Sequence, residues 1–181
     1  MTPAAEGNAT RRLFFALWPD EPTRRQLVRE TRCVVQRCGG KPVPPAHYHV
    51  TLAFIGNLPA ERFDNIVAAG RATAAAQLEL LFDRVGYWPR PRVLWAAPSR
   101  CPPALHELVS MLWDRLYDIG LEREARAYQP HLTLCRKVGR ALEAKLAQPV
   151  PWSASGFVLV ETVVVDGRSS YRVVERFPHQ R

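Results

Sequence analysis

His49-Val50-Thr51-Leu52 and His131-Leu132-Thr133-Leu134 are two copies of one short pattern, 82 residues apart in a chain of 181. Each opens an apolar run that reads as a strand, over 48–55 and over 131–136. Residues i and i+2 of a strand share a face. His49 and Thr51 therefore point one way while Val50 and Leu52 point into the core, and His131 and Thr133 do the same against Leu132 and Leu134. Internal similarity of this kind is a sign of duplication. It predicts two lobes, each with a strand and helix beside its own His-x-Thr strand. If the lobes face each other, one cleft receives two imidazoles and two hydroxyls.

The rest of the chain can be read outward from these two strands. Residues 1–10 look like a flexible lead, and 11–181 like one bilobal domain. A buried strand is predicted over 12–18, ended by Pro19. Leu27, Thr31, Val34, Val35 and Cys38 recur at helical spacing over 22–38, with Arg24, Arg25, Arg29, Arg32 and Arg37 mostly on the other side. Gly39-Gly40 stops that helix, 41–45 is a Pro-containing linker, and Gly56-Asn57 closes the first His-x-Thr strand. A second helix carries Phe63, Ile66, Val67 and Gly70. Strands follow over 78–85 and 92–97. A third helix runs over 103–119 with Gly120 as its cap. Residues 142–146 read as a weak helix, and 156–165 and 171–177 as strands joined at Asp166-Gly167-Arg168. The order is α+β rather than a βαβ series.

The balance of 47% hydrophobic and 23% charged residues excludes a disordered or fibrous chain. Lys plus Arg number 25 against 17 acidic residues, a charge of +8 that favours an anionic partner. Cys33, Cys38, Cys101 and Cys135 have neither CxxC nor zinc-ligand spacing. The first residues lack an apolar stretch of signal-peptide length, and the apolar runs are strand-sized. The expectation is a reduced, cytoplasmic chain with no membrane partner. Of the five histidines, His47 reads as linker, His106 as a surface or boundary position and His179 as tail. No metal-ligand set or glycine-rich nucleotide loop is completed, so no metal or cofactor is implied.

Two imidazoles suit paired general base and general acid work, and two hydroxyls suit the non-bridging oxygens of a phosphoryl group. A phosphodiester needs a base for the attacking water and an acid for the leaving alkoxide, on opposite sides of phosphorus. Symmetry alone does not say which histidine does which.

With these motifs the chain resembles the 2H phosphoesterases. Within them it is most similar to the bacterial and archaeal RNA 2',3'-cyclic phosphodiesterase branch, also called the 2'-5' RNA ligase family. Arg-Leu-Phe-Phe-Ala over 12–16, His-Val-Thr-Leu-Ala-Phe-Ile-Gly over 49–56, Arg-Val-Leu-Trp over 92–95 and Pro-His-Leu-Thr-Leu-Cys-Arg over 130–136 look like family segments in family order. The resemblance implies two pseudo-symmetric antiparallel-sheet lobes with outer helices and a central cleft. It also implies opening of a terminal 2',3'-cyclic phosphate to a 2'-phosphate, with His49 as acid, His131 as base, and Thr51 and Thr133 on the phosphate. It puts Arg136 near the substrate, although on a straight strand a residue five past His131 faces the opposite side. Phe15 reads as core, yet as a family-like aromatic it is a candidate to pack on the base. Arg92 is a candidate to reach RNA or to form an edge-strand salt bridge. Trp95 and Tyr128 are weaker aromatic candidates, and Cys135 alternates onto the face of His131 and Thr133 if the register holds, either at the cleft rim or as a free, semi-buried cysteine.

The expected partner is RNA ending in a 2',3'-cyclic phosphate, with tRNA fragments among the candidates, acted on by a monomer with no obligate protein partner. Reverse 2'-5' ligation is a variant. Alternatives are a small cyclic nucleotide or ADP-ribose cyclic phosphate as substrate, or an inactive protein that binds RNA ends.

Overall fold

The computed structural model of the chain describes residues 9–74 and 77–179, with the backbone alone at Arg168. Of the expected lead, 1–8 lie outside the described residues, and Thr10 already belongs to the first strand. In chain order the elements are β1 (Thr10–Leu17), α1 (Glu21–Arg37), β2 (Lys41–Pro42), β3 (Val50–Pro59), α2 (Phe63–Arg71), β4 (Leu78–Trp88), β5 (Val93–Pro98), α3 (Pro103–Asp118), β6 (Leu132–Arg136), β7 (Ala144–Ala154), β8 (Gly156–Val165) and β9 (Arg168–Pro178). The architecture is the α+β arrangement that the sequence predicts.

Among the described residues all the strand pairings are antiparallel, in the order β7-β4-β5-β6-β3-β1-β8-β9, with β2 added beside β6. The β6–β3 seam divides that order into equal halves. The halves repeat one plan: β1-α1-β3 in one, β5-α3-β6 in the other. The seam itself is a single pair, Val50 opposite Leu132. Leu17, Val50, Leu132 and Ala96 form one row across it, and all four are fully buried.

The helices exchange halves. α1 leaves β1 and packs on β7 and β6 of the other lobe, while α3 leaves β5 and packs on β3 and α2. Asp20 caps α1 by accepting from the Thr23 amide at 2.9 Å, and Leu27, Thr31 and Cys38 are buried beneath it. α3 buries Leu105, Leu108, Val109, Leu112, Trp113 and Leu116, and Gly120 follows it at φ +80° as its cap. Among the described residues no helix is long and apolar enough to cross a membrane.

Three local expectations are corrected. Residues 142–146 do not form a helix, because β7 takes them from Ala144 onward and pairs them with β4. Leu146, Val150, Trp152 and Ala154 are its buried positions, and β7 is an edge strand, where Pro149 and Pro151 are tolerated. Sheet pairing overrides the helical leaning of an Ala-Leu-Glu-Lys composition there. Gly56 does not close β3. Its φ of +82° accommodates a bulge at Ile55, after which Leu58 is again buried. Finally, the linker over 41–45 begins as β2, which pairs Lys41 with Arg136 and Pro42 with Cys135.

Glu161 on β8 is only 8% exposed and accepts from Arg11 at 2.8 and 3.0 Å and from Arg172 at 2.6 Å. The Arg11 hydrogen bonds, then Arg172, hold its carboxyl down at about 2. A depressed carboxylate contributes stability above its unfolded pKa of 4.5 and loses it as pH falls through the folded value. Glu161→Gln should therefore cost about 2 kcal/mol at pH 7 in urea unfolding. The gap from wild type should shrink below pH 4.5 and close near pH 2. A gap independent of pH would assign the loss to packing.

Candidate functional site

Antiparallel register about Val50–Leu132 sets His49 beside Thr133 and Thr51 beside His131. Each histidine thus shares a groove with the threonine of the other motif across the seam. Two grooves continue from these pairs: one is lined by Thr51, Phe54, Trp88, Arg126, Tyr128 and His131, the other by Lys41, His49, Thr133, Arg136, Lys137 and Tyr171. Val50, Leu52, Leu132 and Leu134 are buried on the opposite face, as alternation predicts.

Alternation then breaks in both strands at the same place. Ala16 pairs with Thr51 but Phe15 with Ala53, and Trp95 pairs with Thr133 but Leu94 with Cys135. Leu52 and Leu134, each three residues past its histidine, are the extra residues of two bulges. Leu52 and Ala53 are buried together, as are Leu134 and Cys135. The sixth residue of each motif is thereby returned to the site face. That residue is Phe54 beside His131 and Arg136 beside His49.

The bulge explains why Arg136 reaches the site although a straight strand would turn it away. It also removes the rim placement of Cys135, which is a free cysteine buried in the core. Its thiol is pushed up to about 12 by burial and by the Cys38 thiol beside it. Phe54 escapes a reading of the sequence because it looks there like an ordinary strand residue, not like the counterpart of Arg136. The signal is nonetheless present, since both residues sit five past their histidine.

Two further site candidates are corrected. Phe15 is fully buried on the helix side, its ring 5.9 Å from Phe157 and 5.8 Å from Phe177. The neighbouring Phe14 faces the site instead, 5.0 Å from the His49 ring. Arg92 has φ +65° and precedes β5, so it is a turn residue; its Nε donates to the Val138 carbonyl at 2.9 Å. It holds the chain after β6 and lines neither groove.

Both imidazoles are oriented alike. His49 Nδ1 lies 2.7 Å from the His47 carbonyl, and His131 Nδ1 lies 2.8 Å from the Gln129 carbonyl. A carbonyl accepts only, so Nδ1 carries the proton and a neutral ring leaves its Nε2 lone pair free. Two matching bonds, each to the carbonyl two residues back, fix the same tautomer in both motifs. The 3-10 turn Pro45–His47 supplies one of these carbonyls, so His47 has an indirect role that its linker position hid.

The surroundings of the two rings differ. Trp18 stacks on His49 at 5.6 Å, and Tyr171 meets it edge-on at 5.3 Å. Burial, helped by the charges of Arg136 and His131, lowers the His49 pKa to about 4. His131 meets Trp88 edge-on at 4.4 Å, and Arg126 sits over the Trp88 ring at 5.1 Å. Burial, Arg126 and Arg136 lower His131 as well, against the favourable Gln129 bond. Trp95 forms part of the shelf behind Trp88, at 5.4 Å, and only glycine fits beneath it: a Cβ on Gly86 would lie 2.2 Å from its ring. The Tyr128 hydroxyl is buried in the wall of the His131 groove, with no hydrogen-bond partner among the described residues. Among the same residues no group of three or more His, Cys, Asp or Glu side chains is placed to hold a metal.

Residues 17–95 match the model of a family described as LigT-like phosphoesterase. The RNA 2',3'-cyclic phosphodiesterase of Escherichia coli K12 is 30% identical over 172 residues, covering 92% of this chain and 95% of its own. A protein of the same name from Thermus thermophilus is 32% identical over 181 residues, covering 92% of this chain and 89% of its own. The crystal structure of E. coli LigT complexed with 3'-AMP superposes with a TM-score of 0.87 at 26% identity, over 96% of this chain and all of that one. The crystal structure of a T. thermophilus protein gives 0.79 at 27% identity, over 92% of this chain and 97% of that one.

An NMR titration should find the His49 imidazole protonating near pH 4 and His131 below 6.5, both as Nδ1–H tautomers at neutral pH. Inorganic phosphate should raise both values, since a bound anion favours imidazolium. A His49 that titrates at 6.5 would contradict the burial of its ring.

Proposed function

Since the chain belongs to the LigT-like phosphoesterase family, we propose that it is an RNA 2',3'-cyclic phosphodiesterase that leaves a 2'-phosphate. One observation carries the reading: two imidazoles held in the same tautomer, each sharing a groove with the threonine of the other's motif. In this mechanism Thr51 and Thr133 donate to the non-bridging oxygens and hold phosphorus between the rings. His131 Nε2 takes a proton from water as that water attacks phosphorus. The bond from phosphorus to O3' breaks, and protonated His49 delivers its proton to O3'. Arg136, close enough to lower both histidines, offsets the charge growing on the phosphoryl oxygens. The two imidazoles supply both proton transfers, so the reading requires no metal.

His49 is neutral in the free protein at pH 7, so its proton must arrive with the anionic substrate, whose charge raises the imidazole pKa. Phe54 is 41% exposed and, with Trp88, offers aromatic surface for the terminal base. If an RNA 5'-hydroxyl replaces water, the same displacement yields a 2'-5' linkage, but water at its far higher concentration favours hydrolysis. Substrates would be RNA fragments with cyclic ends, tRNA fragments among them. One chain supplies both motifs, so a monomer suffices. The four free cysteines, with Cys38 and Cys135 buried side by side, fit the reducing cytoplasm.

Wild type should hydrolyse a short RNA with a 2',3'-cyclic end in excess EDTA, and phosphorus NMR should assign a 2'-phosphate. His49→Ala and His131→Ala should each lower kcat/KM by about 10²–10⁴. A 3'-phosphate product would overturn the leaving-group assignment, and loss of turnover in EDTA would overturn the metal-free mechanism.

The pH profile supplies a second test. Both limbs of the kcat/KM profile should lie below pH 6.5, because free His49 and His131 are both depressed. The falling limb of kcat should lie at higher pH, since bound substrate raises His49. Coincident falling limbs would contradict proton uptake with substrate.

A further inference from the structure

The groove beside His49 has a volume of about 280 Å³, and among the described residues its lining carries Lys41, Arg136 and Lys137 with no carboxylate. Pro44 and His47 form one of its walls, and Pro45 and Ala46, the residues between them, border a second surface on the far side of the same turn. That second surface is the outer face of α1, lined by Arg24, Arg25, Arg29 and Arg32. Along α1 there are five arginines and two glutamates. Glu21 pairs with Arg24 and Arg25, and Glu30 with Arg29, which leaves an excess of positive charge. Arg25, Arg29 and Arg32 are exposed at i, i+4 and i+7, a stripe about 10 Å long. Arginines exposed at this spacing add little to the core. Nor does the reaction itself, completed by groups at the seam, call on them.

We propose that this stripe, continued through Lys41 and Lys137, is a track for the backbone phosphates of the RNA strand whose cyclic end lies at the seam. The inference rests on the hydrolase reading above and deepens it: the substrate is an oligonucleotide, gripped several phosphates from its end, rather than a mononucleotide. Arginine in solvent neutralises phosphates without reading bases, so the grip is independent of sequence. Each contacted phosphate on a single strand releases counterions and adds about −0.7 to the slope of log affinity against log salt.

The experiment compares a 12-nucleotide RNA ending in 2',3'-cyclic phosphate with a mononucleotide 2',3'-cyclic phosphate, for wild type and for Arg25→Gln/Arg29→Gln/Arg32→Gln. A charge-reversed triple, with glutamate at the same positions, is the stronger variant. Wild type should process the RNA with a steep salt dependence and the mononucleotide with almost none. The glutamine triple should lose at least tenfold in kcat/KM on RNA at low salt and flatten its slope by about 2. Its mononucleotide kcat/KM should stay within twofold of wild type. Equal salt dependence for both substrates, or unchanged RNA turnover in the triple, would overturn the track while leaving the hydrolase reading intact. If neither substrate is hydrolysed, the hydrolase reading fails and fluorescence anisotropy with labelled RNA decides the track. Weaker binding by the glutamate triple supports it, and equal binding overturns it.

Discussion

Everything at the site depends on one backbone pairing, Val50 against Leu132. Among the described residues it is the one point in the strand register where the halves of the sheet meet, and it falls one residue after each histidine. Antiparallel geometry about a single pair forces a local two-fold relation, so each imidazole must face the other motif's threonine. A slip of one residue in either strand would turn its histidine into the core and its Val50 or Leu132 into the cleft. The fully buried row through Leu17, Val50, Leu132 and Ala96 makes that slip costly. The exchange of α1 and α3 between lobes adds to it, because neither half can shift without dragging a helix from the other's core.

The paired bulges are the second consequence of the duplication. Without the extra residue at Leu52 and Leu134, Phe54 and Arg136 would point away from the histidines. The same backbone irregularity therefore does two chemically different jobs. On the His131 side it presents an aromatic ring, and on the His49 side a guanidinium. A symmetric frame carries an asymmetric lining, which suits the proposed substrate, with a nucleoside at one end and phosphoryl oxygens at the other.

Burial and charge also act together on the histidines. Aromatic walls remove water from both rings, and Arg136 adds positive potential, so the free protein holds two neutral imidazoles where the proposed reaction asks for one base and one acid. An incoming anion favours imidazolium at both rings, and the proposed reaction uses the form in which His49 carries the proton while His131 stays neutral. The deeper burial of His49, under Trp18, Phe14 and Tyr171, makes its imidazolium the stronger acid of the two, which suits the donor role proposed for it.

The sequence by itself determined the elements that follow from periodicity and from repetition: three helices, the His-x-Thr strands, and the side of each strand on which histidine and threonine lie. These are local properties, set by side-chain alternation and by 3.6-residue spacing. Tertiary structure alone decided the rest. Which histidine meets which threonine depends on a pairing between strands 82 positions apart. Whether Phe14 or Phe15 faces the cleft depends on what packs on each side of β1. The inward turn of Arg136 depends on an extra residue visible only against β5. The strand at 144–154 forms because β4 offers it an edge, against the helical leaning of its first residues. Long-range register has no local signature, because the backbone groups that enforce it belong to residues far away in the chain.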